Sequence, residues 1–370
     1  MPREEDVTAA EKTRAGIMGA GMMAGVHAHA IRAAGGRVRS VIGSNPESTA
    51  RAVATLGAEH ASATDADLVS EVDVVHVCTP NTLHLDQALS ALAAGRHVIC
   101  EKPLATTTAD ARLLVDAWRA SGSVGAVPFV YRYHPMVREA RAMVREGEAG
   151  MVISLQAAYL QDWMLRESDG NWRAGGALGG ASRAFADIGS HLCDVIEFIS
   201  GERIVRLSAR TRTVFTERAG QPVHNEDIAA VLVELSGGAV GTLLVSQMAA
   251  GRKNGLVVEI HGTRQTLRFD QERPEELWLG GRERSLLRLR DPAELRADAR
   301  RLSTVPAGHP IGYQDAFNGF VRDAYAAIRG ESPEGLPTFW DGLRATLVTD
   351  AVLQSSSTDG SWVDVIPLED

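Results

Sequence analysis

Cysteine is scarce: Cys78, Cys100 and Cys193 are the three in 370 residues, and no two have a Cys-x-x-Cys spacing. Cys78 and Cys100 sit in apolar segments where a thiol packs as a small hydrophobe. That disfavours a disulfide framework or zinc site and points to the reducing cytoplasm. No run of 18 apolar residues exists to span a membrane. Positive charge is short as well; the formal net charge of -9 argues against nucleic acid or an anionic membrane as the main partner. Internal repeats and low-complexity tracts are absent. The first fourteen residues mix acids and bases without an apolar core, so they read as a frayed leader, not a signal peptide.

What is present suffices for two cores. The chain is 45% hydrophobic and 23% charged, an ordinary globular balance. Short apolar strands at 14–18, 38–43, 72–79, 97–100 and 124–131 alternate with amphipathic helices at 22–34, 47–56, 83–94 and 106–120. This alternation predicts βαβ crossovers and a doubly wound parallel sheet, a Rossmann α/β domain over residues 1–132. After Tyr133 the pattern changes. A helix at 136–146 and a strand at 152–159 precede a loop rich in Trp, Asn and Gly, then a helix at 188–199. Period-two strands at 228–235, 240–247, 256–261 and 266–269, with glycine turns between, predict antiparallel hairpins. Residues 282–301 are densely charged and read as a surface loop or exposed helix, and 312–354 as two helices broken at 330–337. Residues 133–370 are therefore expected to form an α+β domain with a large open, mainly antiparallel sheet. One sheet face would take a helix and the other a partner subunit, giving a homodimer or homotetramer. The C-terminal helices would pack back on the first domain.

The first strand runs into Gly19-Ala-Gly21-Met22-Met23-Ala24, a Gly-x-Gly-x-x-Ala turn opening a helix. Such a turn lets backbone N–H groups and a helix N-terminus meet a pyrophosphate, although a tight βα turn without ligand reads the same way. The second strand ends at Ser44 and Asn45, where a ribose-binding carboxylate usually stands. No acid there repels a 2′-phosphate, and the nearest arginine, Arg51, lies a helical turn further on. NAD and NADP both remain open, with NAD favoured. The third strand ends Thr79-Pro80-Asn81, with His84 following; this loop can contact riboses, or Asn81 can cap the next helix. Glu101-Lys102-Pro103 closes the strand at 97–100 and puts an ammonium at the sheet edge where ligands of open α/β sheets collect. His27 and His29, two apart on the first helix, read as helix-surface or crevice-wall residues.

The glycine turn, Thr79-Pro-Asn, Glu101-Lys-Pro and Asp187-Ile-Gly-Ser-His191 together resemble the glucose–fructose oxidoreductase / inositol dehydrogenase (Gfo/Idh/MocA) family, from about residue 13 to beyond 360. Within it, the segments around Gln161–Trp163, Asn171–Arg173 and 182–187 look like members that oxidise ring hydroxyls of sugars and glycosides. The chain departs from the family at Ser44, where many members have Asp, and at Val130, where many have Asn. The resemblance implies an NAD(P)-dependent dehydrogenase with Asp187 and His191 beside Lys102.

Asp187 and His191 stand four apart, one face of a helix. The bland alternative is a helix N-cap and a satisfied core histidine. With no third ligand comparably placed, a metal is not expected. In the catalytic reading His191 takes the hydroxyl proton, Asp187 sets its tautomer, and Lys102 stabilises the oxygen as it becomes a carbonyl. Oxidation should then fall as pH drops and His191 protonates. Tyr131, Gln161, Trp163, Asn171, Trp172 and Arg173 supply rings for sugar C–H faces and amides for hydroxyls, and Tyr313 closes the cleft. Between 159 and 191, Arg166, Arg173 and Arg183 face Asp162, Glu167, Asp169 and Asp187, a balance suited to a neutral polyol rather than a sugar phosphate. Two other functions are compatible with this fold: a non-catalytic nucleotide-sensing regulator, and a reductase or dehydrogenase of imines, aldehydes or dihydrodiols.

Overall fold

Each short apolar strand of the first sheet leads into a helix with its own stop and start signals, as the computed structural model, which describes residues 12–174 and 176–367, shows. Most of the stretch read as a leader lies outside the described residues. The order is β1 (Arg14–Met18), α1 (Met22–Ala33), β2 (Arg37–Ile42), α2 (Pro46–Leu56), β3 (His60–Ala61), α3 (Asp65–Ser70), β4 (Val74–Val77), α4 (His84–Ala93), β5 (His97–Cys100), α5 (Thr108–Ser121) and β6 (Gly125–Ala126). In α2, the Asn45 side chain accepts from the Ser48 N–H at 2.8 Å, Pro46 fills the first turn, and Gly57 ends the helix at φ 62°. All pairings are parallel, in the order β3-β2-β1-β4-β5-β6. Every strand therefore delivers its carboxyl end to the same edge.

The second half continues with α6 (Pro135–Arg145), β7 (Val152–Leu160), α7 (Gly176–Gly179), α8 (Ser190–Ser200), β8 (Ile204–Arg212), the small pair β9 (Glu217–Arg218) and β10 (Gln221–Pro222), and then β11 (Ile228–Leu235) and β12 (Val240–Ser246). It ends with β13 (Gly255–Gly262), β14 (Gln265–Asp270), β15 (Glu276–Gly281), β16 (Ser285–Leu289), α9 (Ala297–Leu302), α10 (Tyr313–Ile328), α11 (Phe339–Ser357) and β17 (Val363–Asp364). Nine strands form one open sheet in the order β16-β15-β14-β13-β7-β12-β11-β8-β17. Only β7 and β12 run parallel; the rest is antiparallel. Every residue of α8 is buried, because its apolar side chains, such as Leu192, Val195 and Ile199, join the core of the sheet's covered face. Among the described residues no helix is long and apolar enough to cross a membrane.

Several expectations need correction. The strand expected at 124–131 pairs only over Gly125–Ala126, then tightens into a 3₁₀ turn at Val130–Tyr133; Pro128 removes a ladder donor inside it. Segment 282–301 is neither loop nor simple helix. It holds the edge strand β16 and leads into α9, and its Arg290 is buried on the Glu275 carboxylate and three carbonyls. β8, β15 and β17 were not anticipated. β8 reads Ile-Val-Arg-Leu-Ser-Ala-Arg-Thr-Arg, its apolar positions diluted by arginines that face solvent or pair with Glu234 and Asp359.

A second apolar cluster ties α10 to the first sheet: Phe317, Phe320, Val321 and Tyr325 meet Ala28 and Ile31 of α1 and Ile17 and Val74 of the strands. Phe320 is fully buried, edge-on to Tyr133 and Phe317. Phe320→Ala should cost about 3–5 kcal/mol in denaturant unfolding. A cost below about 1 kcal/mol would mean that α10 is not part of that core.

Candidate active site

Two adjoining cavities open along the carboxyl edge of the first sheet. The larger, about 780 Å³, is lined by Gly19, Gly21, Met22, Met23, Ser44, Thr79, Pro80, Asn81, Glu101 and Lys102, all expected there, and by Trp172. Its lining, a glycine turn at the start of a helix, suits a pyrophosphate. A Cβ on Gly19, at φ 113°, would stand 2.6 Å from the Cys78 carbonyl oxygen, so only glycine allows the turn. A Cβ on Gly21 would meet no protein atom within 4 Å; packing does not demand glycine there, so the space it leaves is room for a ligand. Among the described residues no side chain caps α1; the Ala24 N–H donates to the Gly21 carbonyl at 3.1 Å, which leaves the Met22 and Met23 N–H groups for a pyrophosphate. Asn45 and His84 are not on this wall. Asn45 is spent capping α2, and His84 is buried between the Pro103 and Thr79 carbonyls, at 2.8 and 3.0 Å, bracing the two strand-end loops. Asn81 is no helix cap; its amide donates to the Gly179 carbonyl at 3.2 Å. Unforeseen on this wall are Asp65 and Gln87, joined at 3.0 Å, with the Thr79 hydroxyl on Gln87 at 2.6 Å.

The second cavity, about 530 Å³, is lined by Tyr131, Gln161, Arg173, Asp187, His191 and Tyr313 from the expected substrate set, together with Trp163 and Asn171. Trp172 lines the cofactor cavity instead, its ring stacked under the Arg173 guanidinium at 4.3 Å. Glu101, Lys102, Asn171 and Arg173 belong to both cavities. Where the cavities meet, Lys102 Nζ donates to Asp187 Oδ1 at 2.5 Å and to the Asp187 carbonyl at 3.1 Å. Gln247 Nε2 donates to Oδ2 at 2.8 Å, and Arg173 Nε lies 3.6 Å from Oδ1.

Asp187 does not bond His191. A π-turn over Phe185–Gly189 precedes α8 and breaks the simple i, i+4 alignment; Gly189 is needed there because a Cβ would meet the Phe185 ring at 2.6 Å. The carboxylate turns to Lys102, while the His191 ring packs edge-on against Phe129 and Tyr131 and its buried Nδ1 has no partner among the described residues. Burial would raise the Asp187 carboxyl, but Lys102 and Arg173 outweigh it and hold it at about 2. Burial and Lys102 together push His191 down to about 3. The site thus holds a carboxylate and a neutral imidazole across the neutral range.

Strand pairing also built a polar wall that the sequence did not disclose. Opposite Leu160, Gly255 brings the turn residue Asn254 back over β7. Tyr159 donates to Asn254 Oδ1 at 2.6 Å, Asn254 Nδ2 to the Tyr131 oxygen at 3.2 Å, and the two tyrosine hydroxyls lie 2.5 Å apart. Gln161 Nε2 donates to the same Asn254 oxygen at 3.1 Å, and Trp163 Nε1 to Gln161 at 2.8 Å. Burial pushes both phenols up, so they stay protonated.

The comparisons with known proteins agree with this geometry. Residues 13–129 match the oxidoreductase family with an NAD-binding Rossmann fold, and residues 137–268 match the GFO/IDH/MocA C-terminal domain. The chain belongs to this GFO/IDH/MocA oxidoreductase family. It is similar to the levoglucosan dehydrogenase of Pseudarthrobacter phenanthrenivorans, 32% identical over 89% of this chain and 90% of that one. It is also similar to the glucose-6-phosphate 3-dehydrogenase of Bacillus subtilis, 23% identical over 92% and 96%. Among solved structures, levoglucosan dehydrogenase in complex with NADH and levoglucosan superposes with a TM-score of 0.89 at 30% identity, covering 96% of this chain and 100% of that one.

The burial of His191 shifts the expected pH behaviour. A histidine near its usual value would lose its proton-accepting form below about pH 6.5; at about 3 the neutral form persists far lower. The acid limb of kcat/KM due to His191 should therefore lie below about pH 5. A limb near pH 6.5 that disappears in His191→Ala would contradict this.

Proposed function

We propose that the chain is an NAD-dependent dehydrogenase that oxidises a secondary ring hydroxyl of a neutral sugar, glycoside or cyclitol. The observation that carries this reading is the 2.5 Å Lys102–Asp187 pair at the junction of the two cavities. NAD, when bound, supplies the hydride acceptor. Lys102, steered by Asp187 and Gln247, offers its ammonium to the substrate oxygen as that oxygen loses its proton. His191, a neutral imidazole, takes the proton; burial and Lys102 oppose the charge it gains, Glu101 and Asp187 offset part of that cost, and the proton is therefore held only briefly. Tyr131 and Tyr159 are poor candidates for the base, because their hydroxyls are committed to Asn254 and to one another. A nucleotide sensor would have no need of this lysine–carboxylate pair facing a polar second cavity, which disfavours the regulator reading.

Charge supports a neutral substrate. In the second cavity Lys102 and Arg173 both lie on Asp187, and Arg183 is buried on Asp227. Lys102 and Arg173 share this cavity with Asp187 and Glu101, so its charges balance and no net positive pair faces a phosphate, which recognition usually meets with paired cations. The names of the similar proteins, one a levoglucosan and one a glucose-6-phosphate dehydrogenase, support a sugar ring and leave the phosphate to this charge argument. At the adenosine end the wall offers Ser44, Ser48, Asp65 and Gln87, and Arg51 is taken by Glu47. This favours NAD over NADP. Three unpaired cysteines favour the cytoplasm. The exposed face of the large sheet carries Leu232, Val240 and Leu244, which supports a second copy of the chain as its cover.

A polyol panel with both cofactors tests the reading. Turnover of anhydrosugars, glucosides or inositols should exceed that of their phosphates by at least about tenfold, roughly 1.4 kcal/mol. A preference for a sugar phosphate or a primary alcohol would overturn it. In the same assay Ser44→Asp should sharpen the preference for NAD by about fivefold, roughly 1 kcal/mol; unchanged NADP affinity would mean that another group reads the ribose. Leu232→Arg with Leu244→Arg should reduce the sedimentation mass to that of a smaller assembly, and an unchanged mass would place the interface elsewhere.

A further inference from the structure

Behind Glu101 lies a line of buried polar groups that the reaction, as described, does not use. Glu101 Oε1 is 3.1 Å from His27 Nε2 on α1, His27 Nδ1 is 2.7 Å from His76 Nδ1 on β4, and His76 Nε2 is 3.0 Å from the Tyr325 hydroxyl on α10. His27, expected on a helix surface or crevice wall, is fully buried, as is His76. The second oxygen of Glu101 accepts from the Lys102 backbone N–H at 3.1 Å.

The carboxylate end fixes the first hydrogen of this line. A carboxylate can only accept, so His27 Nε2 carries a hydrogen. In the arrangement with one hydrogen on each ring, His27 Nδ1 is bare and accepts from His76 Nδ1–H, whereas a second hydrogen on His27 would reverse this bond. His76 Nε2 is then bare and accepts from Tyr325. Burial agrees with the pieces of this assignment. It holds His76 well below the ordinary histidine range and pushes the Tyr325 phenol up, so the first stays neutral and the second protonated. Burial opposes the Glu101 charge too, but the His27 hydrogen bond, the electrostatic pull of His27 and then the Lys102 charge outweigh it. In that arrangement the three bonds point one way, from Tyr325 through His76 and His27 to Glu101.

We propose that His27, His76 and Tyr325 are positioning residues for hydride transfer: their one-way hydrogen-bond chain fixes the Glu101 carboxylate and, through its second oxygen, the backbone that presents Lys102. The inference rests on Lys102 acting at the reaction centre. It gives α10 two attachments to the site, since Tyr313 at its start lines the substrate cavity and Tyr325 near its end anchors the chain. An unpaired buried carboxylate beside Lys102 would have to find another donor or a proton.

The test uses the full chain with ¹⁵N-labelled histidine, and His27→Gln and His76→Gln assign the resonances. The expected spectrum has His27 protonated on Nε2 and His76 on Nδ1, and Tyr325→Phe moves the bare His76 Nε2 resonance downfield. In turnover, Tyr325→Phe should lower kcat about fivefold and His27→Gln more than about tenfold, each with KM for NAD changed less than about twofold. His76 protonated on Nε2, or both variants turning over at the wild-type rate, would overturn the proposal. A wild type that turns over no polyol would strike the dehydrogenase reading instead, and the tautomer pattern would still decide the chain.

Discussion

The structure turns on one ion pair that joins its two sheets. Lys102 comes from the carboxyl end of β5 in the first sheet, and Asp187 from the π-turn that leads into the helix covering the second. Both side chains are largely buried, so neither charge is stable without the other; removing one partner of such a pair typically costs about 3–5 kcal/mol. The surrounding residues serve that geometry. Gln247 occupies the second carboxylate oxygen, Arg173 adds charge at 3.6 Å, and Glu101 holds the lysine backbone. The pair stands where the two cavities meet, one of about 780 Å³ and the other of about 530 Å³.

Much of the first half was legible, because its information is local. Strand periods, helix caps and the Gly19–Gly21 turn lie within a few residues of their effects, and β1, β5 and α1 fall where the pattern put them. What escaped needed pairing across the chain. Asn254 joins Tyr131 and Tyr159 only because β13 runs back along β7, and Gln247 reaches Asp187 only because the end of β12 packs against the π-turn. The charged stretch around Arg290 misled for a different reason: its guanidinium is buried on carbonyls and Glu275, a pairing that composition does not reveal.

The errors in the site have physical causes that can be named. Asp187 and His191 stand four residues apart, and a regular helix would have aligned them; the π-turn separates them and gives Asp187 to Lys102. His84 and Asn45 have the right chemistry in the right loops, yet nearby backbone groups claim them first. His27 sits in a helix that looked half-exposed until α10, from the far end of the chain, covered it. Local polar competition and distant cover are the two effects that motif reading misses here.

The central claim is that the Lys102–Asp187 pair acts in the chemical step and not in holding the cofactor. Pre-steady-state reduction of NAD by the best polyol, compared between wild type, Lys102→Met and Asp187→Asn with NAD affinity measured on the same samples, tests it most directly. The account predicts that NAD affinity stays within about threefold while the hydride-transfer rate falls roughly 100- to 10,000-fold. A loss of NAD binding with the rate preserved at saturation would contradict it.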